Sequence, residues 1–129
     1  MAIFGTSGTF VGTSRRLKEL NPPIRCILLQ PDSPFHGIEG TKHMETSIVP
    51  RIYDGSIADA EFGIETEAAC TMTKTVAREE GFLIGDSAAA ALVGAMQIAR
   101  AADEGSVVVT IFPDSGGKYL SEHFWDETA

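Results

Sequence analysis

Apolar residues along the chain fall into two patterns, short unbroken runs and runs at helical spacing. The unbroken runs predict strands. Ile24 to Gln30 (IRCILLQ) has the character of a strand buried on both faces of a parallel sheet. Ser106 to Phe112 (SVVVTIF) is the clearest strand in the sequence. Ile3-Phe4 is a short apolar stub, Phe82 to Gly85 is a short apolar piece, and Ser47 to Tyr53 and Glu61 to Ile64 are further short strand candidates. The helical pattern predicts three helices. The first runs from about Phe10 to Leu20 and is stopped by Asn21-Pro22-Pro23, because proline lacks the N–H and clashes with the preceding turn. The second runs from an N-cap at Thr66 to Glu80, with Gly81 as its C′ residue. Ala68, Ala69, Met72, Val76 and Ala77 form its buried face. The third is capped by Ser87, continues through Ala102 and is apolar nearly all round. Strands alternating with helices, the strands apolar without alternation, define an α/β fold with a mainly parallel sheet in one domain spanning 1–129.

Composition narrows the possible partners. The net charge of −8 argues against nucleic acid, which needs a clustered basic face. The one basic cluster, Arg15, Arg16 and Lys18, reads as a solvated helix face. Cys26 and Cys70 read as buried thiols rather than a disulfide scaffold. No apolar run reaches the length of a membrane span. The opening Met-Ala-Ile-Phe-Gly lacks the features of a signal peptide, so the expected compartment is the cytosol. That opening reads as the end of a strand already entering a functional loop, which suggests truncation.

Two segments carry candidate chemistry. Gly5-Thr6-Ser7-Gly8-Thr9 lies between a strand end and a helix start, where unpaired N–H groups and the helix dipole favour an anion. Glycines let the backbone approach that anion, and hydroxyls add donors. No lysine follows the last glycine and the dinucleotide spacing is missing, so the loop is neither a Walker loop nor a Rossmann fingerprint. A tight strand-to-helix turn is the competing reading. The second segment, Pro113-Asp114-Ser115-Gly116-Gly117, ends the best strand, where ligands of open α/β sheets bind. A Ser or Asp there can reach a ring nitrogen; an ordinary turn is the competing reading. His36, His43 and His123 have no metal-ligand spacing, and no nucleophile elbow is present.

In this order, the pieces resemble the cysteine synthase / cystathionine β-synthase family, the fold type II pyridoxal-phosphate (PLP) enzymes. GTSGT followed by FVGTSRRLKELNP is similar to the family's GTGGT phosphate cup and its helix. QPDSPFHGIEGTKHM resembles a stretch with a glycine-rich active-site loop, and EEGFLIGDSAAAAL a segment with a G-x-S-S-G-A-A pattern. VTIFPDSGGKYLS resembles the closing strand and the turn that meets the pyridine ring. The resemblance implies a three-layer, tryptophan synthase β-like large domain. It also implies that the backbone N–H groups of Gly5, Thr6, Ser7, Gly8 and Thr9 hold the cofactor phosphate. Ser115 would meet the pyridine nitrogen, with Ser87 as a second candidate near the ring, and the loop around Gly37 and Gly40 would face the amino-acid substrate.

The departures from the pattern are specific. Ser7 stands where the family usually has Gly. Asp86, Ala88 and Ala89 interrupt the G-x-S-S-G-A-A pattern, and a carboxylate at Asp86 near the phosphate would weaken cofactor binding. The Schiff-base lysine lies in the family's amino-terminal half, and Lys18, Lys42, Lys74 and Lys118 match no such motif. The resemblance therefore implies a carboxy-terminal fragment of a β-replacement enzyme acting on O-acetylserine or serine. Such a fragment would be inactive alone, would hold no PLP stably, and would lack a partner amino-terminal half. The alternatives are a non-catalytic module that binds phosphate or a partner chain, and an unrelated phosphate-binding α/β domain. A homodimer is expected, with exchange of Met1 to Phe4 or of the tail bearing Tyr119, Phe124 and Trp125 as one route to cover exposed surfaces.

Overall fold

The computed structural model describes residues 1–5 and 7–126. Three parallel strands form one sheet in the order β1-β2-β3: β1 Ala2–Ile3, β2 Ile27–Pro31 and β3 Ala60–Ile64. Ala2 pairs with Leu28 and Ile3 with Leu29, while Ile27 to Pro31 run opposite Ala60 to Ile64. Three helices accompany them: α1 Gly8–Leu20, α2 Thr66–Glu79 and α3 Asp86–Ala101.

Successive side chains of a strand point to opposite faces, and β2 shows this. Ile27 and Leu29 enter a cluster with Ile38, Ile64, Ala69, Ala90 and Ala91, on the side of α2 and α3. Cys26 and Leu28 enter a second cluster with Ala2, Phe4, Phe10 and Val11, on the side of α1. Helices thus cover both faces, giving the three layers expected. Both leucines are wholly buried, and each contributes about 1.5–3 kcal/mol. Ala88 to Ala91 are fully buried at the start of α3, and Val76, Ile84, Ala88 and Ala89 form a third cluster between α2 and α3. Small residues let α3 approach closely: a methyl group at Gly94 would lie 2.7 Å from both terminal carbons of Leu29.

Several expectations need correction. Ser106–Phe112 forms no strand. It runs beside β1, tied by the amino terminus donating to the Val109 carbonyl at 2.8 Å and by Thr110 Oγ1 donating to the Met1 carbonyl at 3.4 Å. High β-propensity does not form a ladder when the neighbouring strand offers only two residues. Ser47–Tyr53 is irregular, between short 3-10 turns at Met44–Thr46 and Gly55–Ile57. Thr66 is the first residue of α2 rather than its cap, because its hydroxyl accepts a hydrogen bond from Gly37 N–H at 3.0 Å. Gly85, not Ser87, is the N-cap of α3, and the Ser87 hydroxyl turns to Asp114 Oδ1 at 3.3 Å. Strand β2 starts three residues late, since a turn from Asn21 to Ile24 occupies its approach. The amino terminus is better held than expected. Phe4 is fully buried, packs edge-on against Tyr53 at 5.4 Å and donates from its N–H to Leu29 at 2.7 Å.

Candidate functional site

The carboxyl ends of β1 and β2 open into loops that meet the first turns of α1 and α3. A cavity of about 270 Å³ lies there, lined among others by Gly5, Ser7, Thr9, Gly40, Ser87, Asp114 and Tyr119. Open α/β sheets bind ligands in this position.

The first wall is the β1–α1 turn. Val11 N–H donates to the Ser7 carbonyl at 2.9 Å as the first bond of the helix, which leaves the N–H groups of Gly8 and Thr9 without intrahelical acceptors. The Ser7 side chain makes no capping hydrogen bond at this end. Ser7 adopts φ 69°, and among the described residues it is the only non-glycine with positive φ. That conformation costs an L-residue about 1–2 kcal/mol. The Ser7 side chain is 3% exposed, and its Oγ has no hydrogen-bond partner. A buried, unsatisfied hydroxyl costs a further 1–3 kcal/mol or so.

The second wall is the loop after β2. Gly40 has φ 72°, a conformation glycine adopts freely. Lys42 N–H donates to the Phe4 carbonyl at 2.9 Å, and Thr41 Oγ1 to the Ile38 carbonyl at 2.7 Å. Buried Ile38 anchors the loop in the core. Glu39 N–H donates to Asp86 Oδ2 at 3.3 Å, which ties the loop to α3. Asp86 is 3% exposed, and burial raises its carboxyl pKa above the usual range against the opposing N–H groups of Glu39 and Ser87.

The third wall is the turn at 113–119. The Tyr119 hydroxyl donates to Asp114 Oδ2, and this bond, with burial, raises the phenol pKa well above its usual value. Ser87 donates to the other oxygen of Asp114, so two hydroxyls hold that carboxylate. Gly85 lets it nest there, since a methyl group at Gly85 would overlap the Asp114 carboxylate. The cavity thus has a donor-rich end at Ser7 and Thr9 and an acid-rich end at Glu39 and Asp114.

The candidates from sequence distribute as follows. Gly5, Ser7, Thr9, Ser87 and Gly40 line the cavity. Gly8 begins α1 just outside the lining. Gly37 is engaged with Thr66 and does not line it. Ser115 is exposed outside the lining, its hydroxyl donating to the Leu83 carbonyl at 3.4 Å and accepting from Gly117 N–H at 3.2 Å. Thr6 lies outside the described residues. Asp114, the acid of the 113–117 segment, lines the cavity as well, and so do Glu39, Thr41 and Tyr119, which were not singled out. Glu39 and Thr41 lie in the QPDSPFHGIEGTKHM stretch and Tyr119 just beyond the 113–117 segment, and nothing local distinguished them from turn residues. Among the described residues, no group of His, Cys, Asp and Glu could hold a metal ion, and no helix is long and apolar enough to cross a membrane.

The unpartnered Ser7 hydroxyl and uncapped helix end suit the phosphate of a monoester, with room beside them for a small ring. Fold and cavity together define a three-layer α/β protein with a polar-lined cavity at the carboxyl end of a parallel sheet. The chain belongs to the pyridoxal-phosphate dependent enzyme family, whose model matches residues 2–114. It is 46% identical to the cysteine synthase of Aquifex aeolicus over 124 residues, which cover 94% of this chain and 38% of that protein. It is 36% identical to the O-acetylserine dependent cystathionine beta-synthase of Bacillus subtilis over 127 residues, covering 95% of this chain and 41% of that protein. The crystal structure of O-acetyl serine sulfhydrylase isoform 3 from Entamoeba histolytica superposes with a TM-score of 0.89 at 28% identity. The match covers 99% of this chain and 40% of that one. The chain therefore spans about two fifths of the length of these relatives.

Proposed function

We propose that this chain supplies the cofactor-phosphate cup and one wall of the active site of a cysteine synthase-like enzyme, which carries out β-replacement on O-acetylserine or serine. The observation carrying this reading is the uncapped start of α1 with the buried hydroxyl of Ser7 facing a cavity, in a chain 46% identical to a cysteine synthase. Backbone N–H groups from Gly5 to Thr9 would hold the phosphate, and the loop at Gly37 and Gly40 would face the amino-acid substrate. Ser87, which lines the cavity, would stand near the ring, and Ser115 would have to turn its hydroxyl away from the Leu83 carbonyl to meet the pyridine nitrogen. PLP bound there supplies an electron sink for bond-breaking at the β-carbon of the substrate.

No lysine lines the cavity among the described residues, and Lys18 is spent on Asp59 at 2.7 Å. Covalent attachment of the cofactor would then come from a polypeptide corresponding to the remaining three fifths of the relatives, and the chain by itself would not turn over. A cytosolic location and self-association as a homodimer complete the proposal.

The experiment is an assay of the purified chain with PLP, O-acetylserine and sulfide. A second sample adds the amino-terminal half of a cysteine synthase. The expected result is no cysteine formation above the rate of free PLP from the chain alone, and recovery of turnover on complementation. Turnover by the chain alone would overturn the division of labour. Absence of PLP binding in the complemented sample would overturn the reading of the cup.

A further inference from the structure

Asp114 fixes the direction of two hydroxyl groups. A carboxylate only accepts hydrogen bonds, and a hydroxyl has one hydrogen to give. Ser87 Oγ donates to Asp114 Oδ1 at 3.3 Å, and the Tyr119 hydroxyl donates to Asp114 Oδ2. Both hydrogens therefore point at the carboxylate. Ser87 and Tyr119 have only lone pairs left for the cavity that they line together with Asp114. The backbone holds the acid in place, since Gly85 N–H at the start of α3 donates to the Asp114 carbonyl at 3.2 Å. Glu39 adds a second carboxylate to the same lining. This end of the cavity thus offers acceptors, while the other end has the Ser7 hydroxyl, 3% exposed and without a partner. A cavity of such opposed polarity is complementary to a ligand that is anionic at one end and carries a positively charged N–H at the other.

We infer that Asp114 is a positioning residue: by taking the hydroxyl hydrogens of Ser87 and Tyr119, it makes the cavity hold a bound cofactor with its ring nitrogen protonated. This rests on the proposed reading of the cavity as a cofactor site and deepens it. A serine with no other partner can donate its hydrogen to a ring nitrogen and leave that nitrogen neutral. A serine whose hydrogen is taken by a carboxylate can only accept, so it selects an N–H. The negative charge behind the hydroxyls acts in the same direction, because an opposite charge nearby favours the charged form. A protonated ring nitrogen makes the stronger electron sink.

The test uses 4-deoxypyridoxine 5′-phosphate labelled with nitrogen-15 in the ring, a probe that lacks the aldehyde and needs no lysine. It is bound to the full chain, alone and mixed with the amino-terminal half of a cysteine synthase. The nitrogen-15 chemical shift, which reports the ring proton directly, is followed against pH. On the parent, the bound ring should keep its proton to a pH about one unit or more above that of the free probe. Asp114→Asn should remove most of that difference. An amide is uncharged and donates at one of its two polar atoms, so one hydroxyl turns its hydrogen back to the cavity. Ser87→Ala should remove part of the difference while leaving Asp114 bonded to Tyr119. If the probe on the parent loses its proton at the same pH as the free probe, the inference is overturned and the cup stands; this comparison requires no variant to fold. A difference that persists in full in both variants has another origin and overturns the inference as well. If neither sample binds the probe, the cofactor site itself fails and the inference with it.

Discussion

Gly5 and Gly40 meet backbone to backbone: a Cβ at Gly5 would lie 2.8 Å from the Gly40 carbonyl oxygen. The β1–α1 turn and the loop after β2 are therefore in contact at a point where neither can yield by rotating a side chain. Gly5→Ala is expected to displace the 37–42 loop and destabilise the fold by about 1–3 kcal/mol, the usual range for overpacking. It should also weaken phosphate binding. Urea unfolding together with titration of inorganic phosphate checks both effects, and unchanged values in both would show that the two loops move independently.

Asp86 links the same loop to α3, and its buried carboxyl has a raised pKa. The folded state therefore binds this proton more tightly than the unfolded state. Its contribution is most favourable at pH values below the unfolded pKa and is lost as pH rises through the folded one. Asp54 and Asp59 act in the opposite direction. Hydrogen bonds from Ser56 and from Lys18, respectively, lower their pKa values, so the stability they provide is lost as pH falls. The informative quantity is thus the difference between the parent and Asp86→Asn. Relative to the variant, the parent should lose stability on going from acid to neutral pH. A constant difference across that range in urea unfolding would contradict the assignment.

Gly94 of α3 faces Leu29 of β2 with no room for a side chain between them. Gly94→Ala improves helix propensity by up to about 1 kcal/mol, but it sets a methyl group 2.7 Å from two carbons of a leucine that is 0% exposed. Overpacking at about 1–3 kcal/mol wins, so net destabilisation is expected. Shortening the neighbour should relieve it: Gly94→Ala should cost less in a Leu29→Val background, and a double-mutant cycle by thermal unfolding measures that coupling. Additive effects would place the clash elsewhere.

The helices and the buried strand were legible because their signals are local. Pro22-Pro23 stops α1, and Gly81 supplies the positive φ of 73° that closes α2. Strand β2 was legible because it is apolar on both faces. Ser106–Phe112 was misjudged because a strand also requires a partner: Val107 is 86% exposed and Val109 67%. The caps at Thr66 and Ser87 were misassigned for a related reason. Their hydroxyls are engaged by Gly37 and Asp114, residues 29 and 27 positions away in the chain. At the site, the glycine loop announced itself by composition. The network of Asp86, Asp114 and Tyr119 did not, because acid–hydroxyl pairing across separate loops leaves no periodic trace.

That network makes its own prediction. The Tyr119 hydroxyl donates to Asp114, so ionising the phenol would lose the bond and set two negative charges together. In a Tyr53→Phe background, where Tyr119 is the remaining tyrosine, phenolate absorbance should appear only at pH values well above the ordinary 10.0. Tyr119→Phe should cost about 1 kcal/mol in unfolding free energy, since Asp114 keeps its bond from Ser87. Ionisation at the ordinary pH would show that the pairing does not hold in solution.

Self-association is the expected outcome of the apolar surface left uncovered beside β1. Val107, Val109, Ile111 and Phe112 are exposed along one extended segment, and its carbonyl and N–H groups make few ladder bonds. The segment, through Val107, Val109 and Ile111, forms one wall of a cleft of about 450 Å³ whose other apolar lining includes Phe10, Leu17, Ile24, Ile27 and Ile98. An extended apolar segment beside an apolar cleft is a surface that soluble proteins normally cover. A second copy can cover it by packing the same apolar surface against it in a closed two-fold arrangement that leaves neither free to recruit a third chain. Sedimentation at micromolar concentration is expected to give a dimer of the 13.8 kDa chain. Val107→Lys with Val109→Lys should shift it to monomer without altering phosphate binding, because neither residue lines the cup. A parent chain that sediments as a stable monomer would show that this surface remains open in solution, and the homodimer would be withdrawn.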